Sequence, residues 1–323
     1  MTSDALADLS DTLFGVAIAI YALAAIGFCA ELAFGRPSTR SRPQLATVNT
    51  GASSATALPA ASGAAGRPQA ARWGQLGVVL TAVGALAQAG VLVTRSAAAG
   101  RVPWGNMYEF ATAAVLVGVL AYLFLVIRVP GLRRIGVFVL GPTVIGLVLT
   151  GLHLYAESGP LVAALRSDWL VVHVSAAILS FGVFIVSGVA SALYLVAAQS
   201  ERSASAAGGG EQGRGGRLPS AETLDRVAHR TAIFGFPVWT FAVIAGAIWA
   251  ESAWGRFWGW DPKETWAFIS WALYAAYLHA RNTSGWRGRP AAWTNLVALA
   301  TLVFNLLFVN LVSTGLHSYG GVS

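Results

Sequence analysis

The sequence predicts an all-α integral membrane protein with about eight transmembrane helices and both chain termini outside. Three observations favour this fold. Of the 323 residues, 56% are hydrophobic and only 11% are charged, whereas a soluble domain carries about a quarter charged residues. The apolar residues form long runs that are separated by short polar loops. The basic residues are concentrated in every second loop.

Most of the apolar runs are close to the roughly 20 residues that an α-helix needs to cross about 30 Å of hydrocarbon. The first run is too long for a cleavable signal peptide and follows three aspartates, so we expect it to remain as a helix. The motif VPWGNMYEF is expected to cap the third helix. The eight runs cover residues 12–34, 73–94, 108–127, 135–152, 170–197, 231–251, 264–281 and 292–313.

The distribution of basic residues predicts the orientation. The loops 35–72, 128–134, 198–230 and 281–291 hold 16 of the 21 Lys and Arg residues, and the opposite loops and termini hold five. Cytoplasmic loops are enriched in Lys and Arg, which places the first set in the cytoplasm. We therefore expect a multi-pass protein of the plasma membrane.

Two of these cytoplasmic loops have the composition of flexible linkers. Residues 35–72 are rich in Ala, Ser, Pro and Gly, and residues 198–230 contain the run GGGEQGRGG. Neither has enough apolar residues to fold by itself. The predicted organisation is a first transmembrane helix (1–34), a linker, helices two to five (73–197), a second linker and a C-terminal core (231–323).

Composition also excludes several functions. The single cysteine, Cys29, permits neither an intramolecular disulfide nor a C-x-x-C redox site. The net charge of +7 does not indicate nucleic-acid binding, because the basic residues are spread over short loops instead of one face or arm. The sequence has no nucleotide-binding glycine loop, which argues against an ATP-driven pump encoded by this chain alone.

Half of the twelve tryptophans lie in the segment WAESAWGRFWGWDPKETWAFISW, which the topology places outside, between helices six and seven. One interpretation is an aromatic belt, because Trp favours the membrane interface. Six tryptophans in one hairpin exceed what anchoring requires, which favours a flat aromatic platform for a planar apolar ligand. The six are Trp249, Trp254, Trp258, Trp260, Trp266 and Trp271.

The same segment contains charged residues. Asp261, Pro262 and Glu264 have the spacing of the N-cap, N1 and N3 positions of helix seven. Arg256 and Lys263 remain available to pair with carboxylates of a ligand. A haem would match both features, because its macrocycle is apolar and its two propionates are anionic.

Three histidines are predicted to lie at the outer ends of helices. His173 begins helix five and His317 follows helix eight, at the depth of the tryptophan segment. Two imidazoles from separate helices could ligate a haem iron from both sides. Asn310, two turns before His317, would add polarity on the same face if helix eight continued. His153, at the end of helix four, is either a spare ligand or an interfacial residue.

His279 is predicted to lie at the opposite depth. It follows Glu264 by 15 residues, so a continuous helix carries it ~22 Å toward the cytoplasm, away from the outer histidines. It is either an interfacial residue or a contact for haem that enters from the cytoplasmic side. His229, in the charged run DRVAHR, is the nearest candidate for a second ligand, but we expect it to be solvated in a loop.

The run WAESAWGRFWGWDPKETWAFISWALYAAYLHAR, followed by GLHSYG at 315–320, resembles the cytochrome c biogenesis proteins of the CcsA/ResC type, called CcsB in some bacteria. These are haem-handling membrane proteins of the System II pathway, and their tryptophan-rich segment is called the WWD domain. The resemblance is highly specific over about 225–320, extends more loosely over 102–200, and is absent from the N-terminal third.

The resemblance implies roles for individual residues. His173 and His317 would be the external axial ligands of haem b, and His279 would be the intramembrane histidine of an inner site. The C-terminal core would then be a haem-handling core. Contacts to the haem would come from the tryptophan segment, through Trp249, Trp254, Arg256, Trp258, Trp260, Asp261, Lys263 and Trp266.

The resemblance also implies partners and an activity. A ResB/Ccs1-type membrane protein would contribute the other intramembrane ligand. Haem transport to the outer face would be followed by thioether attachment to the C-x-x-C-H motif of apocytochrome c. The chain would then be a subunit of a holocytochrome c synthase, or haem lyase, with an extracytoplasmic active site and no dedicated acid or base.

Two other functions remain open from the residues alone. A bis-histidine electron-transfer cytochrome would need ligand pairs at both depths, and the inner pair is incomplete within this chain. A transporter of haem or another small solute would explain the helices but not the tryptophan cluster.

Overall fold

The computed structural model describes residues 1–34, 66–161, 165–206, 218–312 and 315–317. Within these ranges the chain has no β-strand and is built from long α-helices, joined between the third and fourth by a short 3₁₀ turn. The helices are α1 (Ser3–Phe34), α2 (Gly66–Ala99), α3 (Met107–Arg128), α4 (Gly136–His153), α5 (Asp168–Ala206), α6 (Ala221–Trp254), α7 (Pro262–Asn282) and α8 (Arg289–Leu311).

In the described part of the chain, seven helices are long and apolar enough to span a membrane, namely all except α7. This confirms the prediction of a multi-pass, all-helical membrane protein. The helix α7 forms where the sequence predicts it, but it is rich in Trp and Tyr and ends in His279 and Arg281, which lowers its hydropathy. That α7 is an eighth membrane span stays a prediction.

The helices pack around two hydrophobic clusters. The first is formed mainly by α1 to α4, with one end each of α5 and α6, and the second by α3 together with α5 to α8. The contact of α3 with α5 joins the clusters, and it is close because Gly118 of α3 faces Gly182 of α5. Small residues permit such close approach of helix backbones in a membrane, where apolar burial alone does not drive association.

The helices alternate in direction, so their ends meet in two groups. At one end, the Sδ atom of Met107 at the start of α3 lies 3.8 Å from Nζ of Lys263 at the start of α7. At the other end, Glu31 near the end of α1 pairs with Arg133, which lies between α3 and α4, at 2.6 Å. We call the end that holds Met107 and Lys263 the site end.

Some helices extend beyond their apolar runs. The range 198–230, which the composition assigns to a linker, is partly helical, because α5 continues to Ala206 and α6 begins at Ala221. These extensions are polar but rich in Ala, Glu and Arg, which favour helix. Similarly, α2 begins at Gly66, inside the predicted linker 35–72. The remainder of the two predicted linkers lies outside the described residues, at 35–65 and 207–217.

Candidate functional site

A cavity opens in the site end of the bundle, between α3, α5, α6, α7 and α8. Its volume is about 130 Å³, smaller than the ~300–1,000 Å³ that is typical of sites for cofactor-sized molecules. The wall is mainly apolar and aromatic. Its largest side chains are those of Phe110, Phe181, Phe257, Trp239, Trp249, Trp254 and Trp258. Two imidazoles and one ammonium group also line it, from His173, His317 and Lys263.

His173 lies in the second turn of α5 and is held by α6. Its Nδ1 atom lies 2.7 Å from the carbonyl oxygen of Ala242. A carbonyl oxygen can only accept a hydrogen bond, so Nδ1 carries the proton and Nε2 keeps a lone pair. A hydrogen bond of this kind fixes both the tautomer and the ring orientation of a metal-ligating histidine.

The backbone of α6 comes close to His173 because small residues line that face. Ala242, Gly246 and Ala250 are spaced four apart and form a shallow groove on α6. A Cβ atom on Gly246 would lie 2.7 Å from Nδ1 and Cε1 of His173. Since real side chains do not approach this closely, the position of the imidazole depends on glycine at 246.

His317 lies in a turn that follows α8 and is held by the start of α7. Its Nδ1 atom lies 3.1 Å from Oδ2 of Asp261. The carboxylate only accepts, so Nδ1 is again the protonated nitrogen and a ligand role falls to Nε2. The chain passes close to the carboxylate at Gly315, where a Cβ atom would lie 2.4 Å from Oδ1 of Asp261.

The carboxyl group of Asp261 is ionised at neutral pH. Burial raises its pKa, but the hydrogen bonds from His317 and from the backbone N–H of Leu316, together with the charge of Lys263, outweigh burial and hold the pKa below its ordinary value. Only 4% of the Asp261 side chain is exposed. The pair with His317 is therefore a buried, charge-assisted hydrogen bond.

The loop that carries Asp261 is fixed by Glu264. The predicted capping box of α7 is confirmed, with Asp261 at the N-cap and Glu264 at N3. One carboxylate oxygen of Glu264 accepts from the backbone N–H groups of Asp261 at 3.1 Å and Gly259 at 2.8 Å. Between them, Trp260 has a φ of 56°, a left-handed conformation that costs a bulky residue roughly 1–2 kcal/mol.

Trp249 of α6 contacts both imidazoles. Its ring lies 6.1 Å from that of His173, with only 9° between the planes, and 5.7 Å from that of His317. Trp254 completes the group, with its ring 4.9 Å from His317 and 4.8 Å from Trp249. Trp249 is only 3% exposed. These four rings, which we call the histidine–tryptophan cluster, tie the two imidazoles into one packed unit.

The other tryptophans of the segment take different positions. Trp258 lines the cavity, whereas Trp260 is 65% exposed. The rings of Trp258 and Trp260 are nearly perpendicular, with their centres 5.7 Å apart. Trp266 faces away from the cavity and packs on Phe304 of α8, at 4.4 Å between ring centres. Trp271 donates from its indole N–H to Thr240 of α6 at 2.9 Å. The segment thus forms a wall and a rim instead of a single flat platform.

Of the two cations singled out from the sequence, only Lys263 lines the cavity. Its ammonium group donates to the side-chain oxygen of Asn310. Among the described residues, it forms no ion pair with a carboxylate. Arg256 is exposed, and its guanidinium group folds against Gly259 of its own loop. The condition for Asn310 to share a face with His317 is not met, because α8 ends at Leu311, and the side-chain oxygen of Asn310 accepts from Lys263 instead.

The remaining histidines lie away from the cavity. His279 is exposed near the far end of α7, so it does not share a site with the outer pair, as the sequence predicts. His229 was expected in a solvated loop, and this is wrong, because α6 begins at Ala221. Its Nδ1 atom is buried without a partner among the described residues. His153 is exposed at the end of α4 and is not part of the cavity wall.

Comparison with known proteins identifies the family. Residues 104–317 match the family model described as cytochrome C assembly protein, a range that includes the whole cavity wall. The chain belongs to this family. Its role therefore lies in cytochrome c biogenesis, and the family implies the handling of haem.

Curated relatives narrow the assignment to the CcsA type. The cytochrome c biogenesis protein CcsA of Gloeobacter violaceus is 36% identical over 301 residues, which is 77% of this chain and 87% of the relative. CcsA of Synechococcus elongatus is 35% identical over 285 residues, which is 76% of this chain and 87% of that relative. CcsA of Guillardia theta is 40% identical over 174 residues, which is 51% of this chain and 58% of that relative. The resemblance seen in the sequence is confirmed.

A solved structure shares the fold. The cytochrome c heme lyase CcmF matches with a TM-score of 0.60 at 17% sequence identity. The match covers 95% of this chain and 47% of that protein, so the chain spans about half the length of CcmF. At this identity the likeness concerns the arrangement of helices alone.

Several cavity residues of this CcsA-type protein were not singled out from the sequence as site residues. They are Met107, Phe110, Trp239 and Asn305. Asn305 has a recognisable signal, since a polar residue inside a membrane helix is costly and often functional. Its Oδ1 atom and the indole nitrogen of Trp239 are both buried without a partner in the described part of the chain. Trp239 has no such signal, because it is one aromatic residue within an apolar run.

The donor set fits a haem better than a bare metal ion. Within the described ranges, no three His, Cys, Asp or Glu side chains come together as a metal site. Two imidazoles with anchored Nδ1 atoms are too few to hold a bare metal ion, so the remaining ligands would have to come with the metal, as they do in a macrocycle. The aromatic wall and the ammonium group of Lys263 match the apolar ring and the anionic propionates of such a ligand.

Proposed function

We propose that the chain binds haem b in the site-end cavity and presents it for covalent attachment to apocytochrome c. The observation that supports this most strongly is the pair His173 and His317. Each lines the same aromatic cavity, and each has its Nδ1–H fixed by an acceptor. In this proposal the Nε2 atoms of His173 and His317 would bind the iron.

The aromatic residues and Lys263 would hold the rest of the ligand. Trp249, Trp254 and Trp258 would pack on the macrocycle and exclude water, and Lys263 would pair with a propionate. Arg256 and Trp260 lie at the exposed rim, where they would act on an arriving substrate or on an outer propionate. Trp266 would serve the packing of α7 on α8.

Thioether formation depends more on positioning the thiol and the vinyl group than on a general acid or base. A thiol of the C-x-x-C-H motif adds across a vinyl group, so that sulfur bonds to one vinyl carbon and the thiol hydrogen ends on the other. No net oxidation takes place. The chain would hold the ligand by two imidazoles with one edge open, so that the thiol and the vinyl group meet in a reactive geometry. The single cysteine is consistent with other proteins keeping the thiols reduced.

The wider assignment follows the System II pathway. We propose a plasma-membrane protein with α7 as its eighth span, both termini outside and the site end on the extracytoplasmic face. His279 is exposed on the bundle surface at the opposite end. There it would meet a ResB/Ccs1-type partner that supplies a second ligand to haem during export. Together they would form a holocytochrome c synthase.

The test is an absorption spectrum of the complex with its ResB-like partner in mild detergent. The variants are His173→Ala, His317→Ala and His279→Ala, with His153→Ala as the matched control. We expect a low-spin bis-histidine haem in the wild type and in His153→Ala. His173→Ala and His317→Ala should each lose haem or hold it in a high-spin form, and exogenous imidazole should restore the low-spin form. Wild-type spectra from both outer variants, with full cytochrome c assembly, would refute the ligand assignment.

A further inference from the structure

The two imidazoles at the cavity differ in what holds them. His173 is carried by a regular helix and donates from Nδ1 to a neutral backbone carbonyl, that of Ala242. His317 lies outside any helix and donates from Nδ1 to the carboxylate of Asp261. We propose that Asp261 is a positioning residue that orients His317 and makes it the more electron-donating of the two axial ligands. This inference rests on the proposed function.

The negative charge is what distinguishes the two supports. A carboxylate that accepts from the far nitrogen of a ligating histidine increases the basicity of the nitrogen that binds the metal. A neutral carbonyl has a weaker effect, because charge-assisted hydrogen bonds are roughly twice as strong as neutral ones. The Asp261 side chain is nearly buried, and a site of low dielectric strengthens the interaction further.

The position of His317 also depends on Asp261. The helix α8 ends at Leu311, so the imidazole is not oriented by a helical backbone. Asp261 is rigid, because it begins α7 and its N–H group is bound by Glu264. The close passage of Gly315 and the backbone hydrogen bond from Leu316 place the turn directly on this carboxylate. The start of α7 therefore sets where the imidazole points.

Two substitutions of Asp261 separate the effect of its charge from its effect on the orientation of His317. Asp261→Asn keeps an oxygen acceptor and an equally good N-cap, so it removes the charge alone. We expect it to keep a low-spin bis-histidine spectrum, with a reduction midpoint potential shifted upward because ferric iron loses electron donation. Asp261→Ser also caps the helix but is too short to reach His317. We expect about a 10- to 100-fold loss of haem affinity, a partly high-spin spectrum, and recovery on addition of imidazole.

The controls use the full chain in complex with its ResB-like partner. Asp168→Asn removes an exposed carboxylate from the first turn of α5 and should leave potential and affinity at wild-type values. In a His317→Ala background, Asp261→Ser should cause no further loss of haem. If Asp261→Asn and Asp261→Ser keep the wild-type potential and affinity, Asp261 is a helix cap only and the inference is overturned. If the wild type binds no haem, the proposed function fails and the inference falls with it.

Discussion

Gly246 of α6 lies directly against the imidazole of His173 of α5. A Cβ atom at 246 would be 2.7 Å from two ring atoms, and the ring is already tied to α6 by its hydrogen bond to Ala242. The imidazole is therefore clamped between a glycine and a carbonyl one turn apart. The distance between two helix backbones, rather than a flexible side chain, sets the position of this candidate ligand.

The first prediction concerns Gly246→Ala. The added methyl group must displace the ring of His173, because neither the helix backbone nor the ring can bend away at low cost. We expect the low-spin haem signature to weaken while the protein still folds, since Ala favours helix over Gly by about 1 kcal/mol. Absorption spectra of the purified complex measure this.

Gly141→Ala is the matched control for this change. It makes the same substitution inside α4, where a Cβ atom would meet no atom within 4 Å. It should leave the haem spectrum unchanged. Equal spectra for Gly246→Ala and the wild type would contradict the clamped position of His173.

The second prediction concerns Lys263→Met, which keeps length and apolar bulk but removes the charge. If Lys263 pairs with a propionate, its loss should weaken haem binding by about 1.5–3 kcal/mol, the usual contribution of a hydrogen bond to a charged group. Titration of the apoprotein with haem measures the affinity. The same titration with haem dimethyl ester, which has no propionate charge, should give equal affinities for wild type and Lys263→Met.

Arg256→Met is the comparison for Lys263→Met. Its guanidinium group is exposed and folds onto its own loop, so its loss should weaken haem binding less. If the dimethyl ester distinguishes Lys263→Met from the wild type as strongly as haem does, Lys263 does not act on a propionate.

The sequence predicts the helices well because membrane spans are encoded in run length and composition. The sequence also predicts that His173 and His317 lie at the same end of the helices, because each sits at the end of an apolar run, and both line the cavity at the site end. It does not predict which side chains face the cavity, since this depends on how each helix is rotated against its neighbours. Trp266 and Trp239 illustrate the limit, as the first lies outside the wall and the second lines it.

Partners that lie far apart in the chain are also beyond sequence reasoning. The carboxylate that holds His317 belongs to Asp261, which by spacing alone is only a helix cap. The contact of Asn310 with Lys263 is another example, because α8 ends at Leu311 and does not continue far enough to place Asn310 and His317 on one helical face. Such contacts are set by packing between helices and not by local pattern.

The third prediction compares two tryptophans of the segment. Trp249→Ala removes a nearly buried ring that contacts both imidazoles, and should destabilise the fold by about 3–5 kcal/mol and disturb the haem spectrum. Trp260→Ala removes an exposed ring at the rim and should change stability by about 0.5 kcal/mol or less. Thermal unfolding in detergent and the absorption spectrum distinguish them. Equal effects would argue for a uniform aromatic belt.

The last prediction concerns a buried ion network beside the cavity. Glu109 is 0% exposed at the start of α3 and accepts from Arg95 at 3.4 Å, from Arg101 at 2.7 Å and from the backbone N–H of Gly105 at 2.8 Å. Glu109→Gln would leave Arg95, itself 1% exposed, with one paired carboxylate among the described residues, that of the half-exposed Asp11 at 3.7 Å. Removing one partner of a buried pair costs about 3–5 kcal/mol, so we expect a large fall in Tm.

This network should also affect the site. The loop that Glu109 holds leads into Met107, which lines the cavity and contacts Lys263, so haem affinity should fall together with Tm. Glu222→Gln is the control, because its pair with Arg226 is exposed and one helical turn apart, and such pairs contribute about 0.3–0.5 kcal/mol. Similar Tm values for the two variants would mean that the buried charges of α2 and α3 do not stabilise this end of the bundle.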